Sequence, residues 1–194
     1  MANTDEYENN KFLKIPNINN KNIIFDLNFS KIYLEKSINK LSKNNKIIVC
    51  ATSVHKVIKI KKIINKIDFI FLNKAELFKL TNSSDIIIGV KKILKQNKHI
   101  KIVATNSKNN VIFGSSEFIK KIKPPSLKVV NENGAGDALA AMMLYLLSKE
   151  KKMDDILKTS VACGSYYANG NSLTKKSDYL KVKNLSKKVK IQKV

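Results

Sequence analysis

The segment Asn131-Glu132-Asn133-Gly134-Ala135-Gly136-Asp137, leading into the apolar run Ala138–Leu147, holds the residue types best suited to chemistry. A glycine-rich turn that opens a helix leaves backbone N–H groups unpaired and partially positive, so it can cradle a phosphate. Gly134 and Gly136 let the backbone approach an anion closely. Asp137 falls in the first turn of the helix, where a carboxylate can serve as general base toward an attacking hydroxyl. Phosphoryl transfer asks a protein mainly to position groups and stabilise charge, and this layout supplies both. The plainer reading is an ordinary helix start with an acidic residue favoured by the dipole.

Alternating strands and helices must place that turn. Asn22–Asp26, Lys46–Cys50, Asp68–Leu72 and Ile100–Thr105 read as short buried strands. Between them, helical spacing runs over Lys31–Ser42 (Ile32, Leu34, Ile38, Leu41) and Val54–Asn65 (Val54, Val57, Ile58 and Ile64 as core), then Lys74–Leu80 and Ser84–Gln96. Val111–Phe113 and Glu117–Ile122 read as a hairpin turning at Gly114-Ser115-Ser116. After Pro124-Pro125 the chain crosses Lys128–Val130 to the glycine turn, followed by helices over Ala135–Ser148 and Met153–Ala168 and a short one around Asp178–Val182. Apolar strands alternating with helices argue for an α/β fold with a mostly parallel sheet. The expected organisation is a disordered lead-in over 1–21, one domain over 22–182 and a basic tail over 183–194.

The 194 residues carry 37 basic against 15 acidic side chains, a net charge of +22. Every basic residue is Lys and none is Arg, the residue that clamps phosphates and guanine edges bidentately. Lys, Asn and Ile, all with AT-rich codons, dominate, so compositional drift accounts for the charge and nucleic-acid binding is the weakest of the functional readings. Lys59, Lys61, Lys62, Lys91, Lys92 and Lys95 fit solvated helix faces. No apolar stretch approaches the ~20 residues of a membrane span, and the acidic, polar N-terminus resembles no leader peptide. Cys50 and Cys163 make no disulfide framework and read as small hydrophobes, so a reducing compartment, most simply the cytoplasm, is expected. His55 and His99 lack ligand neighbours at metal spacing.

The run GAGDALAAMM resembles the second signature of the PfkB carbohydrate kinase, or ribokinase-like, family. That resemblance implies a three-layer α/β kinase fold, with Gly134, Ala135 and Gly136 as the anion hole for the γ-phosphate and Asp137 as the base. Asp68-Phe69-Ile70-Phe71-Leu72-Asn73-Lys74-Ala75-Glu76 is similar to the family's strand-end Asn-x-x-Glu motif. Asn73 and Glu76 would then organise Mg2+ and phosphates through water, as hard oxygen donors one turn apart can. By itself the pair is a helix cap with its box partner. Thr105 and Val111 match a nucleotide-contact segment, Thr-Leu-Gly-x-x-Gly-Val, in which Ser107 and Asn110 replace the glycines. Asn tolerates a left-handed backbone, so Ser107 is the larger departure. Thr52, Ser53, Val54 and Lys56, with Asp26-Leu27-Asn28, resemble segments of the pseudouridine kinases. Tyr166 and Tyr167 fall where the family builds its adenine pocket, or in the core.

The resemblance is drawn from Ile23 to Leu180, about the C-terminal half to three-fifths of a family kinase, without the first strands and substrate lid. Asn131-Glu132 replaces the usual Asp-Thr, and Glu132 adds negative charge beside a phosphate site. The expectation is an ATP- and Mg2+-dependent kinase, with a monovalent cation as a further candidate cofactor, acting on the primary hydroxyl of a sugar or nucleoside, pseudouridine preferred. The alternative is a degenerate or truncated member that binds a nucleotide or partner without turnover; a basic nucleic-acid-binding protein stands third. An open sheet edge favours a homo-oligomer or a completing chain.

Overall fold

The computed structural model describes residues 14–194, and the first thirteen residues of the expected lead-in lie outside the described residues. The described chain forms seven strands and six α-helices in two compact units, one ending at Ala104 with 114–117 added, the other made of 105–113 and 118–194.

In the first unit, β1 (Asn22–Phe25), β2 (Lys46–Cys50), β3 (Phe69–Asn73) and β4 (Lys101–Thr105) lie side by side in chain order. β1 pairs parallel with β2 (Ile23 opposite Ile47), and β2 parallel with β3 (Val49 opposite Ile70). Phe69, Ile70, Phe71 and Leu72 are all buried, as expected of a parallel strand covered on both faces. Helix α1 (Lys31–Leu41) starts where the Ser30 hydroxyl accepts the Tyr33 N–H, and it buries Leu34, Ile38 and Leu41 while leaving Ile32 exposed. Helices α2 (Lys74–Thr81) and α3 (Ile86–Gln96) follow β3. A side chain at Gly89 of α3 would meet Leu77 of α2 at 2.9 Å, so glycine sets their approach. The buried Asn97 amide donates to the carbonyls of Ile64 and Ile67 and so closes the end of α3 onto the preceding loop.

The expected helix over Val54–Asn65 is instead two 3-10 turns, Val57–Ile60 and Ile64–Lys66. Val57, Ile60 and Ile63 are buried at a spacing of three while Ile58 is exposed. That is the three-residue period of a 3-10 turn, and the run of β-branched side chains disfavours an α-helix. Residues 15–21, assigned from sequence to a disordered lead-in, are tied to the turn before β2: Asn20 N–H donates to the Asn44 carbonyl and Asn45 Nδ2 to the Ile18 carbonyl.

In the second unit, β5 (Val111–Gly114), β6 (Ile119–Lys123) and β7 (Lys190–Lys193) are neighbours in that order. β7 runs antiparallel to β6, with Lys193 opposite Lys120 and Ile191 opposite Ile122. Helices α4 (Ala135–Leu147), α5 (Met153–Ala168) and α6 (Lys176–Ser186) complete it. The stretch expected as a basic tail therefore contains the end of α6 and an edge strand; Val189 and Ile191 alternate with polar residues, a period-two signal that lysines mask. In α6, the Asp178 carboxylate accepts the Lys175 N–H, and the Tyr166 hydroxyl of α5 donates to it. Burial pushes the Cys163 thiol up to about 11, which leaves it inert at neutral pH.

Candidate active site

The turn that opens α4 is shaped by Gly134, at φ +79°, a left-handed conformation that favours glycine. A Cβ there would also come within 3.0 Å of the Tyr167 ring. The Ala135 N–H donates to the Glu132 carbonyl (3.2 Å), and the first helical bond runs from Ala138 N–H to Gly134 (2.9 Å). Between them, the N–H groups of Gly136 and Asp137 have no hydrogen-bond partner among the described residues. A side chain at Gly136 would meet nothing within 4 Å, so open space lies beyond it. Asp137 is exposed, and its carboxylate has no hydrogen-bond partner among the described residues. Two unpaired donors, an open approach and a free carboxylate make a site that an anion and a hydroxyl can both reach.

The N-terminal side of the turn is tied down. Val130 and Asn131 N–H both donate to the Ala168 carbonyl at the end of α5, at 2.8 and 3.0 Å. Asn131 Oδ1 accepts the Asn133 N–H (2.9 Å). Gly164 brings α5 against the turn: a Cβ on it would meet the Ala135 carbonyl oxygen at 2.9 Å. Sequence reasoning passed over Gly164; a glycine inside an otherwise regular helical pattern was the available signal.

Thr105 ends β4 half-buried, and Ser107 and Asn110 lie exposed in the loop that follows. Ser107 takes the left-handed conformation at φ +50°, whereas Asn110 does not, so the glycine-like backbone belongs to the residue less suited to it. The Ser107 hydroxyl donates to Glu132 Oε1 at 2.5 Å, a contact nothing in the sequence announced.

In the first unit, Asn73 and Glu76 form a complete capping box at the start of α2. Asn73 Oδ1 accepts the Glu76 N–H (2.9 Å), and Glu76 Oε2 accepts the Asn73 N–H (2.8 Å). Glu76 is 3% exposed. Burial raises its pKa from the ordinary 4.5, and the hydrogen bond from the Asn73 backbone only partly offsets this. Because the folded chain holds this proton more tightly than the unfolded one, Glu76 costs stability as pH rises from about 4.5 through its higher folded pKa. Glu76→Gln keeps the cap and removes the charge. It should therefore remove the fall in stability across that window and leave the protein more stable above it, measured by urea denaturation at several pH values, whereas Glu76→Ala should cost about 0.5–2 kcal/mol.

The segments Asp26-Leu27-Asn28 and Thr52–Lys56 come together: Lys56 Nζ donates to Asn28 Oδ1 (3.0 Å), and Asp26 Oδ1 accepts the Asn28 N–H (2.9 Å). Ser53 Oγ accepts the His55 N–H, and Thr52 is exposed. Lys59, expected on a solvated face, instead donates to the carbonyls of Leu27 and Phe29 at 3.1 and 2.9 Å. Lys92 likewise caps α2 through the carbonyls of Thr81 and Asn82, which the positional pattern of charges does not reveal. Among the described residues no group of three or more His, Cys, Asp or Glu is placed to hold a metal ion.

The family model of the pfkB family carbohydrate kinases matches residues 2–175, and the chain belongs to that family. The matched span begins upstream of Ile23, where the resemblance of the motifs begins. Solved structures share the ribokinase-like α/β fold. A protein from Clostridium perfringens assigned as a sugar kinase superposes with a TM-score of 0.77 at 18% identity, over 89% of this chain and 56% of its own. Phosphofructokinase-2 from Escherichia coli, solved in complex with potassium, gives 0.73 at 21% identity over 86% of this chain and 56% of its own. The tetrameric inhibited form of that enzyme gives 0.72 at 20%, over the same shares. The chain thus spans a little over half the length of these structures. No curated protein sequence matches it. No helix among the described residues is long and apolar enough to cross a membrane.

Proposed function

We propose that this chain carries the phosphoryl-transfer half of an ATP-dependent kinase that phosphorylates the primary hydroxyl of a sugar or nucleoside in a reducing cytoplasm, with pseudouridine the preferred acceptor. The observation that carries the reading is the α4 turn, with the unpaired Gly136 and Asp137 N–H groups beside the exposed, unpartnered Asp137 carboxylate. Asp137 takes the proton of the acceptor hydroxyl as its oxygen bonds to the γ-phosphorus; the bond from that phosphorus to the bridging oxygen breaks and ADP leaves. Of the expected anion hole, Gly136 presents a free backbone N–H to the charge that builds on the transferred group, and that of Asp137 joins it; the Ala135 N–H is turned to the Glu132 carbonyl, and Gly134 shapes the turn. Thr105, Ser107 and Asn110 belong to the nucleotide side. Mg2+ neutralises phosphate charge when bound, and Asn73 and Glu76 are the residues suited to hold its water shell; a monovalent cation is assigned by analogy with the potassium complex of phosphofructokinase-2.

The pseudouridine preference rests on the Thr52, Ser53 and Lys56 segment and its hydrogen bond to Asn28. The tetrameric relative supports association with further copies or a completing chain. A second reading, nucleotide binding without turnover, is favoured by Ser107 and Glu132 at positions where the family has a glycine and a threonine. Transfer from radiolabelled ATP to pseudouridine, uridine, ribose and fructose separates the two. Mg2+-dependent labelling of one acceptor supports the kinase; saturable ATP binding without labelling supports the second reading.

A further inference from the structure

We propose that Ser107 and Glu132 form a clasp that fixes the loop after β4 on the turn opening α4, and thereby sets the affinity of that turn for the phosphates of a nucleotide. The inference rests on the kinase reading for its ligand, a nucleoside triphosphate, but on the hydrogen bonding of the two segments for its mechanics.

Both residues depart from the family pattern, and the structure joins them: Ser107 Oγ donates to Glu132 Oε1 at 2.5 Å. A hydroxyl-to-carboxylate bond of that length is of the stronger, charge-assisted kind. Ser107 holds it while in a left-handed backbone, φ +50°, that residues other than glycine adopt at a cost. Glu132 is itself part of the anion turn, because its carbonyl accepts the Ala135 N–H. The residues before it are anchored to α5 through Val130 and Asn131, so Ser107 supplies the tie from the opposite sequence neighbourhood. An ionised carboxylate two residues from Gly134 repels a phosphate; engaged by a hydroxyl, its charge is partly satisfied and its direction fixed. The two substitutions are thus compensating: Glu132 introduces a charge that disfavours the ligand, and Ser107 restrains it. Ser107 and Glu132 are positioning residues in this scheme, with no direct part in proton or phosphoryl transfer.

The test is hydrogen exchange of the whole chain, read at the hydrogen-bonded amides of Asn109 in the first segment and of Asn131, Asn133 and Ala135 in the second, alongside calorimetric binding of MgATP, for wild type, Ser107→Ala, Glu132→Gln, Glu132→Ala and the double alanine variant. Both positions are exposed, so the variants fold, as circular dichroism will verify. Loss of a hydrogen bond to a charged group should speed exchange in both segments by about 10- to 100-fold in Ser107→Ala and in Glu132→Ala, and the double variant should be no faster than either. Glu132→Gln keeps an acceptor and should stay near wild type in exchange while binding MgATP at least as tightly. Ser107→Ala should bind it about tenfold more weakly, because the carboxylate is released. Unchanged exchange in both single alanine variants overturns the clasp, as does Glu132→Ala binding MgATP more tightly than Glu132→Gln. A wild-type chain that binds no nucleotide overturns the nucleotide part alone, and the exchange data then decide the clasp by themselves.

Discussion

Asp137→Asn should lower phosphoryl transfer by about 10²–10⁴-fold, the range that a positioned general base contributes. The amide is isosteric and the parent carboxylate holds no hydrogen bond within the described residues, so the change costs only the favourable interaction of the charge with the helix start. The N–H groups of Gly136 and of residue 137 remain, and MgATP affinity should change little or rise slightly, since one negative charge leaves the phosphate site. A fall in kcat with ATP binding preserved therefore separates the base from a mere helix-start residue. Equal loss of binding and turnover would show that Asp137 holds the turn together rather than accepting a proton.

Gly164→Val should act from behind the site. Its Cβ would press on the Ala135 carbonyl oxygen at 2.9 Å and on Leu139 Cβ at 3.2 Å. The first of these is backbone and cannot swing aside, so α5 must shift or the turn at Ala135 must deform. Overpacking of this kind costs about 1–3 kcal/mol, and here the strain falls on an anion-hole residue. Urea denaturation should show a lowered midpoint with unchanged m-value, and MgATP binding should weaken even where the variant is fully folded. Gly136→Ala supplies the contrast: its Cβ meets nothing, so any loss of ATP affinity there reports closed approach to the ligand rather than damaged packing.

Most of the fold was readable because the strand signals are strong. Ile47–Val49 and Phe69–Leu72 are short, β-branched or aromatic and flanked by polar residues, and each is a buried strand. The Val54–Asn65 region misled because helical spacing and 3-10 spacing differ by less than one residue per turn, and only packing shows that Val57, Ile60 and Ile63 share a face. β7 was hidden because Lys190, Gln192 and Lys193 flank its single apolar residue, Ile191, and its pairing with β6 spans some seventy residues of chain. At the candidate site, Gly134 and the Asn73–Glu76 cap were legible from local spacing, since turns and caps are encoded within four or five residues. The Ser107–Glu132 bond and the reach of Lys59 to Leu27 and Phe29 were not, because each links positions more than twenty residues apart whose types alone favour solvent.

The order of strands in the first unit bears on how the chain is made. β1, β2, β3 and β4 stand in the sheet in the order in which they are synthesised. Each new strand can therefore add to the edge left by the one before it, and none has to insert between two already paired. Pairing stays between successive strands, which keeps the loop-closure cost of each step low. A nascent chain emerging at about 5–20 residues per second can thus bury each strand shortly after it appears, so its growing edge is exposed for only a few seconds at a time.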